Sequence, residues 1–102
     1  MNLKPGARLR SAVCETEVVV VRAQAGDVDL RCGGTAMRAA SDAQEPPTSM
    51  DPAFADGTLL GKRYEKSGAV LEVLCVRGGA GSLSLGAEPL QQMGPRKLPA
   101  SD

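Results

Sequence analysis

Three cysteines, Cys14, Cys32 and Cys75, carry the most versatile chemistry in this 102-residue chain. A cysteine thiolate binds soft metal ions, attacks disulfides and forms disulfides of its own. The sequence contains no histidine, which excludes a Ser-His-Asp or Cys-His catalytic pair and an imidazole metal ligand. Because no other acid–base pair has a recognisable spacing, an independent enzyme is not expected, and the cysteines are the candidate site.

The pair Cys14 and Cys32 admits three interpretations. Both can be small buried hydrophobes, because free cysteine is among the most buried residue types. Both can close a reversible disulfide, or act as two ligands of a thiolate metal site. A closed zinc or iron site needs four ligands, so Glu15, Glu17 or a second chain would have to supply the remainder. No cofactor is the first expectation, and zinc or iron at Cys14 and Cys32 is the alternative.

The third cysteine, Cys75, lies in the predicted strand 71–76 on the same strand face as Val73. This position indicates a core side chain rather than a reactive thiol. The Gly-Gly-Ala-Gly stretch 78–81 that follows precedes another strand pattern and lacks a Lys-Ser/Thr signature. It therefore predicts a hairpin turn and not a phosphate-binding loop that opens a helix.

Two segments of the chain have strand patterns around these cysteines. Residues 16–22 are mostly β-branched, and residues 28–32 then alternate between apolar and charged side chains, as in a half-buried strand. The same order recurs later, where 71–76 is followed by the glycine turn and by the alternating stretch 82–85. Each segment is predicted to form a β-hairpin, and the predicted fold class is all-β.

The two segments superpose without a gap, so that Gly26 meets Gly79 and Gly33 meets Gly86. A chance match of two hairpins is the alternative, but the alignment favours a duplicated unit. A lone hairpin is only marginally stable in water, so two copies are expected to pack into one compact sandwich-like or barrel-like domain.

The predicted organisation has four parts. Residues 1–37 form the first hairpin repeat, 38–57 a linker, 58–90 the second repeat and 91–102 a flexible tail. The linker is predicted to be mobile because it is polar and contains consecutive prolines. Near its end, Asp51 as N-cap and Pro52 at the first position predict one helical turn.

Two short motifs in the first repeat point to a known family. Ser11 stands three residues before Cys14, and Cys32 is followed by Gly-Gly-Thr-Ala-Met. These motifs resemble desulforedoxin and the N-terminal domain of desulfoferrodoxin, whose pattern is Tyr-x-Cys-x-x-Cys-Gly, an apolar strand, a Gly-Gly-Gly-Thr-Leu turn and Cys-Cys-Gly-x-x-Met. Four thiolates of that family hold one iron or zinc, and the unit forms a tight homodimer.

The resemblance implies a scaffold in which Cys14 and Cys32 lie close together. Ser11 and Gly33 then stand at the two ligand positions that no longer carry cysteine. The second repeat has no cysteine at a ligand position, since the Ser-Gly at 67–68 and the Leu-Gly at 85–86 occupy the corresponding places. Tyr64 stands near the position of the family's tyrosine.

Composition restricts the partners of the chain. The formal net charge is zero and only two residues are aromatic, so a nucleic-acid partner is not expected. The apolar runs are far too short to span a bilayer, and the N-terminus lacks the apolar core of a signal peptide, so membrane contact is not expected either. An odd number of cysteines argues against a secreted disulfide framework. A cytoplasmic location is the resulting expectation.

A run of valines at 18–21 places apolar groups on both faces of a strand. One face can cover the core, and the other needs the second repeat, another copy of the chain or a larger protein. The expected function is a non-catalytic β module that acts as an accessory subunit or homodimer through Val18, Val19, Val20 and Val21. The alternative is a thiolate metal-binding or redox protein that uses Cys14 and Cys32.

Overall fold

The computed structural model describes residues 2–24, 26–40, 49–66, 68 and 70–92. Within these residues the chain has ten β-strands, one 3₁₀ turn and no α-helix, so the predicted all-β class is confirmed. None of the described segments contains a helix with the length and apolar character that a membrane crossing requires. The strands are β1 (Arg8–Arg10), β2 (Glu17–Ala23), β3 (Leu30–Cys32), β4 (Thr35–Ala36), β5 (Arg38–Ala39), β6 (Arg63–Glu65), β7 (Leu71–Arg77), β8 (Leu83–Leu85), β9 (Glu88–Pro89) and β10 (Gln91–Gln92).

The strands form two sheets of antiparallel pairs. The larger sheet has the order β10-β6-β7-β2-β1-β5, and the smaller has the order β4-β3-β8-β9. Each of β1–β5 has a counterpart five numbers higher, β6–β10. In both sheets, a strand and its counterpart stand at equal distances from the centre of the order. Arg31 and Ser84 lie at equivalent positions of the sequence alignment and are register partners in the β3–β8 pair.

The predicted hairpins are wrong in their strand pairing. β2 is hydrogen-bonded to β1 on one side and to β7 on the other, which leaves no edge for β3. β3 instead pairs with β4 and β8 in the smaller sheet, and the second half repeats this arrangement. One edge of β2 is taken by β7, because two seven-residue strands form a longer ladder together than either forms with a three-residue strand. The other edge is taken by β1, which precedes β2 along the chain.

The tight hairpin turns lie elsewhere in the chain. Gly33 and Gly34 connect β3 to β4 with φ angles of 65° and 85°, and a type I′ turn requires positive φ at both central residues. Gly86, with φ 61°, begins the corresponding turn between β8 and β9. The motif that follows Cys32 is therefore a hairpin turn, and Cys32 is the last residue of β3.

The core is built from alternate residues of both sheets. On β2, Val18 and Val20 are 0% and 1% exposed, whereas Val19 and Val21 lie on the opposite face and are half-buried. The valine run therefore divides between the core and an outer surface. The buried apolar residues are Leu3, Leu9, Val18, Val20, Val28, Leu30, Cys32, Met37, Tyr64, Leu71, Val73, Cys75, Leu83 and Leu90.

The predicted linker 38–57 is structured at both of its described ends. At its start, Arg38–Ala39 form β5 and pair with β1. Towards its end, the backbone N–H of Asp51 donates to the carbonyl of Gly33 at 3.0 Å. The polar composition did not reveal these backbone hydrogen bonds. Residues 41–48, the centre of the predicted linker, lie outside the described residues.

The helical turn expected in this segment is present as the 3₁₀ turn Pro52–Phe54. The carboxylate of its N-cap, Asp51, accepts a hydrogen bond from the backbone N–H of Ala53 at 2.9 Å. The start of the predicted tail is also structured, because Gln91–Gln92 form β10 against β6. The remainder of that tail, 93–102, lies outside the described residues.

Candidate dithiol site

The Sγ atoms of Cys14 and Cys32 lie 3.8 Å apart. Cys32 ends β3 and is fully buried, whereas Cys14 lies in the loop between β1 and β2 and is half-buried. The expected proximity of these two residues is therefore observed. The two sulfurs are in van der Waals contact but not bonded, since a disulfide has an S–S length of about 2.05 Å.

A serine holds the loop that carries Cys14. Ser11 Oγ accepts hydrogen bonds from the backbone N–H groups of Val13 and Cys14, both at 3.1 Å, in a local turn that serine commonly forms. This turn places Cys14 Sγ 3.4 Å from Ser11 Oγ. The hydroxyl of Thr16, a fully buried residue, lies 3.2 Å from the same sulfur. Two hydroxyl groups therefore flank the sulfur of Cys14.

The second half of the chain covers both sulfurs with the loop between β7 and β8. A Cβ atom at Gly81 would lie 3.1 Å from Cys32 Sγ and 3.2 Å from Cys14 Sγ, and one at Gly79 would lie 3.1 Å from Cys14 Sγ. Glycine at both positions lets the backbone of this loop approach the thiols closely. The site is consequently composed of residues from both halves of the chain.

Thr58 fixes this glycine loop in place. Its hydroxyl donates to the carbonyl oxygen of Gly81 at 2.7 Å, and the residue is buried. The backbones of Thr58 and Gly79 also exchange two hydrogen bonds, at 3.0 and 3.2 Å. On the other side, the N–H of Gly33 donates to the carbonyl of Ser82 at 3.0 Å, which ties the loop to the residue after Cys32.

The two thiols differ strongly in acidity. Burial raises the pKa of Cys14, but hydrogen bonds from the hydroxyls of Ser11 and Thr16 and from the backbone N–H groups of Thr16 and Gly81 outweigh burial and lower this pKa to about 7. Burial raises the pKa of Cys32 to about 12, and the adjacent charge of Cys14 acts in the same direction. Near neutral pH, Cys14 is therefore partly a thiolate and Cys32 is a thiol.

The residues around the sulfurs do not fit a four-ligand zinc or iron site. Within the described part of the chain, no three His, Cys, Asp or Glu side chains cluster where they could hold a metal ion. Ser11 lies beside the sulfurs, but Gly33 does not face them. A Cβ atom at Gly33 would lie 2.5 Å from Val13 Cγ2 and 3.0 Å from Met50 Cγ. The expectation that Gly33 marks a vacated ligand position is therefore wrong.

The other candidate ligands have different environments. Glu17 accepts a hydrogen bond from Arg8 at 3.4 Å, and Glu15 is exposed. Cys75 is 1% exposed, and its thiol donates to the carbonyl of Arg77 at 3.2 Å. Burial raises the pKa of Cys75. The core position predicted for Cys75 is confirmed by this burial.

Sequence reasoning missed the residues that complete the site, namely Thr16, Thr58, Gly79 and Gly81. The two threonines belong to no motif, and their role depends on contacts between distant segments. The glycine loop did carry a signal, because three glycines within four residues exceed what a two-residue hairpin turn requires. Surplus glycine of this kind indicates a close approach of the backbone to another group.

None of the family models, curated proteins and solved structures compared with the chain matches it.

Proposed function

We propose that this protein carries out thiol–disulfide exchange with the Cys14–Cys32 pair. The observation that supports the proposal is the 3.8 Å separation of the two sulfurs, one half-buried and one buried. A closure of less than 2 Å would bring them to the bonding distance of a disulfide, about 2.05 Å. Cys75 lies in the core with its own hydrogen-bond acceptor and takes no part.

The accessible thiol, Cys14, makes the first attack. Its thiolate attacks one sulfur of a substrate disulfide, a mixed disulfide forms, and the other substrate sulfur leaves as a thiolate. The hydroxyls of Ser11 and Thr16 and the N–H of Gly81 favour the thiolate form of Cys14. These donors also stabilise Cys14 as a leaving group in the reverse direction, because a thiol of lower pKa departs faster.

The buried thiol, Cys32, resolves the mixed disulfide. Its sulfur attacks Cys14 Sγ, its proton passes to the departing substrate thiolate, and the Cys14–Cys32 disulfide forms. Two electrons have then moved from the dithiol to the substrate disulfide. A thiol reductant reverses the sequence and regenerates the pair. Because Cys32 is fully buried, it reaches Cys14 but not an external disulfide.

A redox titration tests the proposal. The Cys75→Ser variant is equilibrated in glutathione buffers of increasing oxidised fraction, quenched with a maleimide, and its free thiols are counted by intact mass. Both thiols are expected to disappear together in a single two-electron transition. A folded protein that keeps both free thiols at every glutathione ratio would contradict the proposal.

Single cysteine variants test the assignment of roles. With Cys32→Ser added to Cys75→Ser, Cys14 is expected to accumulate as a mixed disulfide with glutathione. With Cys14→Ser added instead, Cys32 is expected to remain a free thiol in the folded protein. Glutathione on Cys32 rather than on Cys14 would mean that the order of attack is wrong.

The desulforedoxin-like origin remains a proposal that some features support. Ser11, Cys14 and Cys32 converge on one point, and the strand order is symmetric between the two halves. A side chain at Gly33 would point at Val13 and not at the sulfurs, and the described residues contain no four-ligand cluster. Such a scaffold would therefore have lost its tetrathiolate chemistry.

A second candidate function is the expected homodimer, and the outer surface of the larger sheet favours it. Val19, Val21, Leu74 and Val76, which we call the outer face, are all half-buried. Val19 pairs with Leu74 at its centre, and Arg8 and Arg63 flank this pair on the neighbouring strands. A second copy of the chain could cover the outer face with the same residues. Light scattering tests this idea: a dimer that Val19→Lys converts to a folded monomer supports it, and a monomeric parent protein contradicts it.

A further inference from the structure

We propose that the reduced Cys14–Cys32 pair is a two-thiolate site for a soft monovalent cation, Cu(I). This inference uses the reduced pair that the proposed function requires, but it does not depend on disulfide chemistry.

The spacing of the sulfurs suits a shared metal ion. Two thiolates bound to one tetrahedral metal at about 2.3 Å lie about 3.8 Å apart, and the sulfurs of Cys14 and Cys32 are 3.8 Å apart without a metal. The two sulfurs would need to move apart only slightly to reach the wider S–Cu–S angle of two-coordinate binding. The site is therefore close to its bound geometry before the ion arrives, which lowers the cost of binding.

The number and type of donors select the ion. The site offers two soft sulfurs, and the described part of the chain adds no third His, Cys, Asp or Glu side chain to them. Zinc and ferric iron in closed protein sites take four ligands, so two thiolates serve them poorly. Thiolates favour Cu(I), which does not need four protein ligands. The hydroxyls of Ser11 and Thr16 are neutral oxygen donors that suit harder cations, so their position beside Cys14 does not alter this preference.

Gly81 leaves the space that the ion would occupy. A Cβ atom at this residue would lie almost equally far from both sulfurs, 3.1 Å from Cys32 and 3.2 Å from Cys14. A methyl group would therefore stand over the line that joins the two donors, whereas glycine presents only a hydrogen atom there. Cys14 is the less buried of the two thiols, so a copper donor from solution would reach the pair through it.

The backbone around the sulfurs matches the charge of the complex. Cu(I) displaces the proton of Cys32 to solvent on binding, and the resulting two thiolates and one Cu(I) ion carry a net charge of minus one. The N–H groups of Thr16 and Gly81 donate to the sulfur of Cys14 and offset that charge. Hydrogen bonds of this kind to ligand atoms orient the ligands and strengthen metal binding.

Competition with a chromophoric Cu(I) chelator, bathocuproine disulfonate, tests the site. The fully reduced protein is titrated into the Cu(I)–chelator complex under anaerobic conditions, and the loss of chelator absorbance measures copper transfer. We expect one Cu(I) per chain, and the same stoichiometry in the Cys75→Ser control. Cys14→Ser and Cys32→Ser are each expected to abolish the transfer. A parent protein that removes no copper, or one whose copper depends on Cys75, would overturn the proposal.

A variant of Gly81 tests the geometry rather than the presence of thiols. Gly81→Ala keeps both cysteines, and we expect it to weaken Cu(I) binding by about 10-fold, the lower end of effects seen when the surroundings of metal ligands change. Ala80→Ser, an exposed change in the same loop, is the matched control and should bind as the parent does. Equal affinity of a folded Gly81→Ala variant and the parent would contradict the assigned position of the ion.

The copper result and the disulfide result are independent. A protein that forms the Cys14–Cys32 disulfide but takes no copper from the chelator overturns the copper site alone. A protein that binds copper through both thiols but forms no disulfide with glutathione overturns the proposed exchange activity alone.

Discussion

The hydroxyl of Thr58 donates a 2.7 Å hydrogen bond to the carbonyl oxygen of Gly81. The backbone N–H of Gly81 in turn stabilises the thiolate of Cys14. Thr58 affects the sulfur without contacting it, because its hydrogen bond fixes the position of Gly81, and Gly81 contacts the sulfur. A residue of the second half of the chain therefore helps to set the chemistry of a cysteine in the first half.

The acidity of Cys14 gives a pH dependence of its reactivity. In the Cys32→Ser, Cys75→Ser variant, Cys14 is the only thiol, and neither replaced residue is among the groups that shift its pKa. Since the thiolate is the reactive form, the iodoacetamide reaction rate is expected to rise with pH and to reach half its maximum near pH 7. A midpoint near the ordinary value of 9.0 would mean that the hydrogen bonds at the sulfur are absent.

Replacement of Thr58 should shift that pH profile. Thr58→Val keeps the shape of the side chain but removes the hydroxyl that anchors Gly81, so we expect the pKa of Cys14 to rise by about one unit, the equivalent of one weakened hydrogen bond. Thr58→Ser retains the donor and should restore the midpoint near 7. An unchanged midpoint in a folded Thr58→Val variant would show that Thr58 has no influence on the thiol.

Gly79 should tolerate no side chain. A Cβ atom there would meet the hydroxyl of Thr16 and lie 2.7 Å from the backbone nitrogen of Thr16. Gly79→Ala is expected to lower the free energy of unfolding by about 1–3 kcal/mol, as overpacking typically does. The control Ala80→Ser, at the exposed neighbour, should change it by less than about 0.5 kcal/mol. Urea unfolding of both variants measures the difference, and equal stabilities would contradict the close packing at Gly79.

Glu72 joins three strands of the larger sheet. Its carboxylate lies 3.3 Å from Arg22 on β2 and 3.4 Å from Arg63 on β6, and its side chain is only 7% exposed. Both guanidinium groups are mostly exposed, and solvent screens their pairing. Glu72→Gln is therefore expected to lower the free energy of unfolding by only about 1 kcal/mol.

Glu88 offers a matched control for that change. Its carboxylate pairs with Lys66 at 3.1 Å, but its side chain is 71% exposed. Glu88→Gln should change the free energy of unfolding by less than about 0.5 kcal/mol. A larger effect at Glu88 than at Glu72 would show that burial does not decide the strength of these ion pairs.

Strand positions were more predictable than strand partners. The β-branched run around Val18 and the alternation around Leu30 mark β2 and β3 correctly, because each pattern depends on local sequence. Their partners are β1 and β7 for β2, and β4 and β8 for β3. Of these partners, β7 and β8 lie far away along the chain, and β1 and β4 are too short to carry a pattern of their own. Three-residue strands such as β1 and β6 are too short to show a period of two.

The candidate site was predictable only in part for the same reason. The motifs around Cys14 and Cys32 indicate that the two thiols meet, and their sulfurs are in contact. The loop 79–81 and Thr58 come from the other half of the chain, so no local pattern could place them on the sulfurs. The family resemblance places Gly33 in the metal-ligand set, whereas its φ of 65° shows that the residue serves the hairpin turn.

Disulfide mapping of the oxidised protein shows whether Cys14 and Cys32 form the exchange pair. The parent chain is oxidised with glutathione disulfide while folded, alkylated, and digested with trypsin without reduction. The three cysteines fall in separate peptides, 11–22, 32–38 and 67–77. We expect peptide 11–22 to be joined to peptide 32–38 and Cys75 to be alkylated. A disulfide that includes Cys75, or three alkylated cysteines at full oxidation, would contradict it.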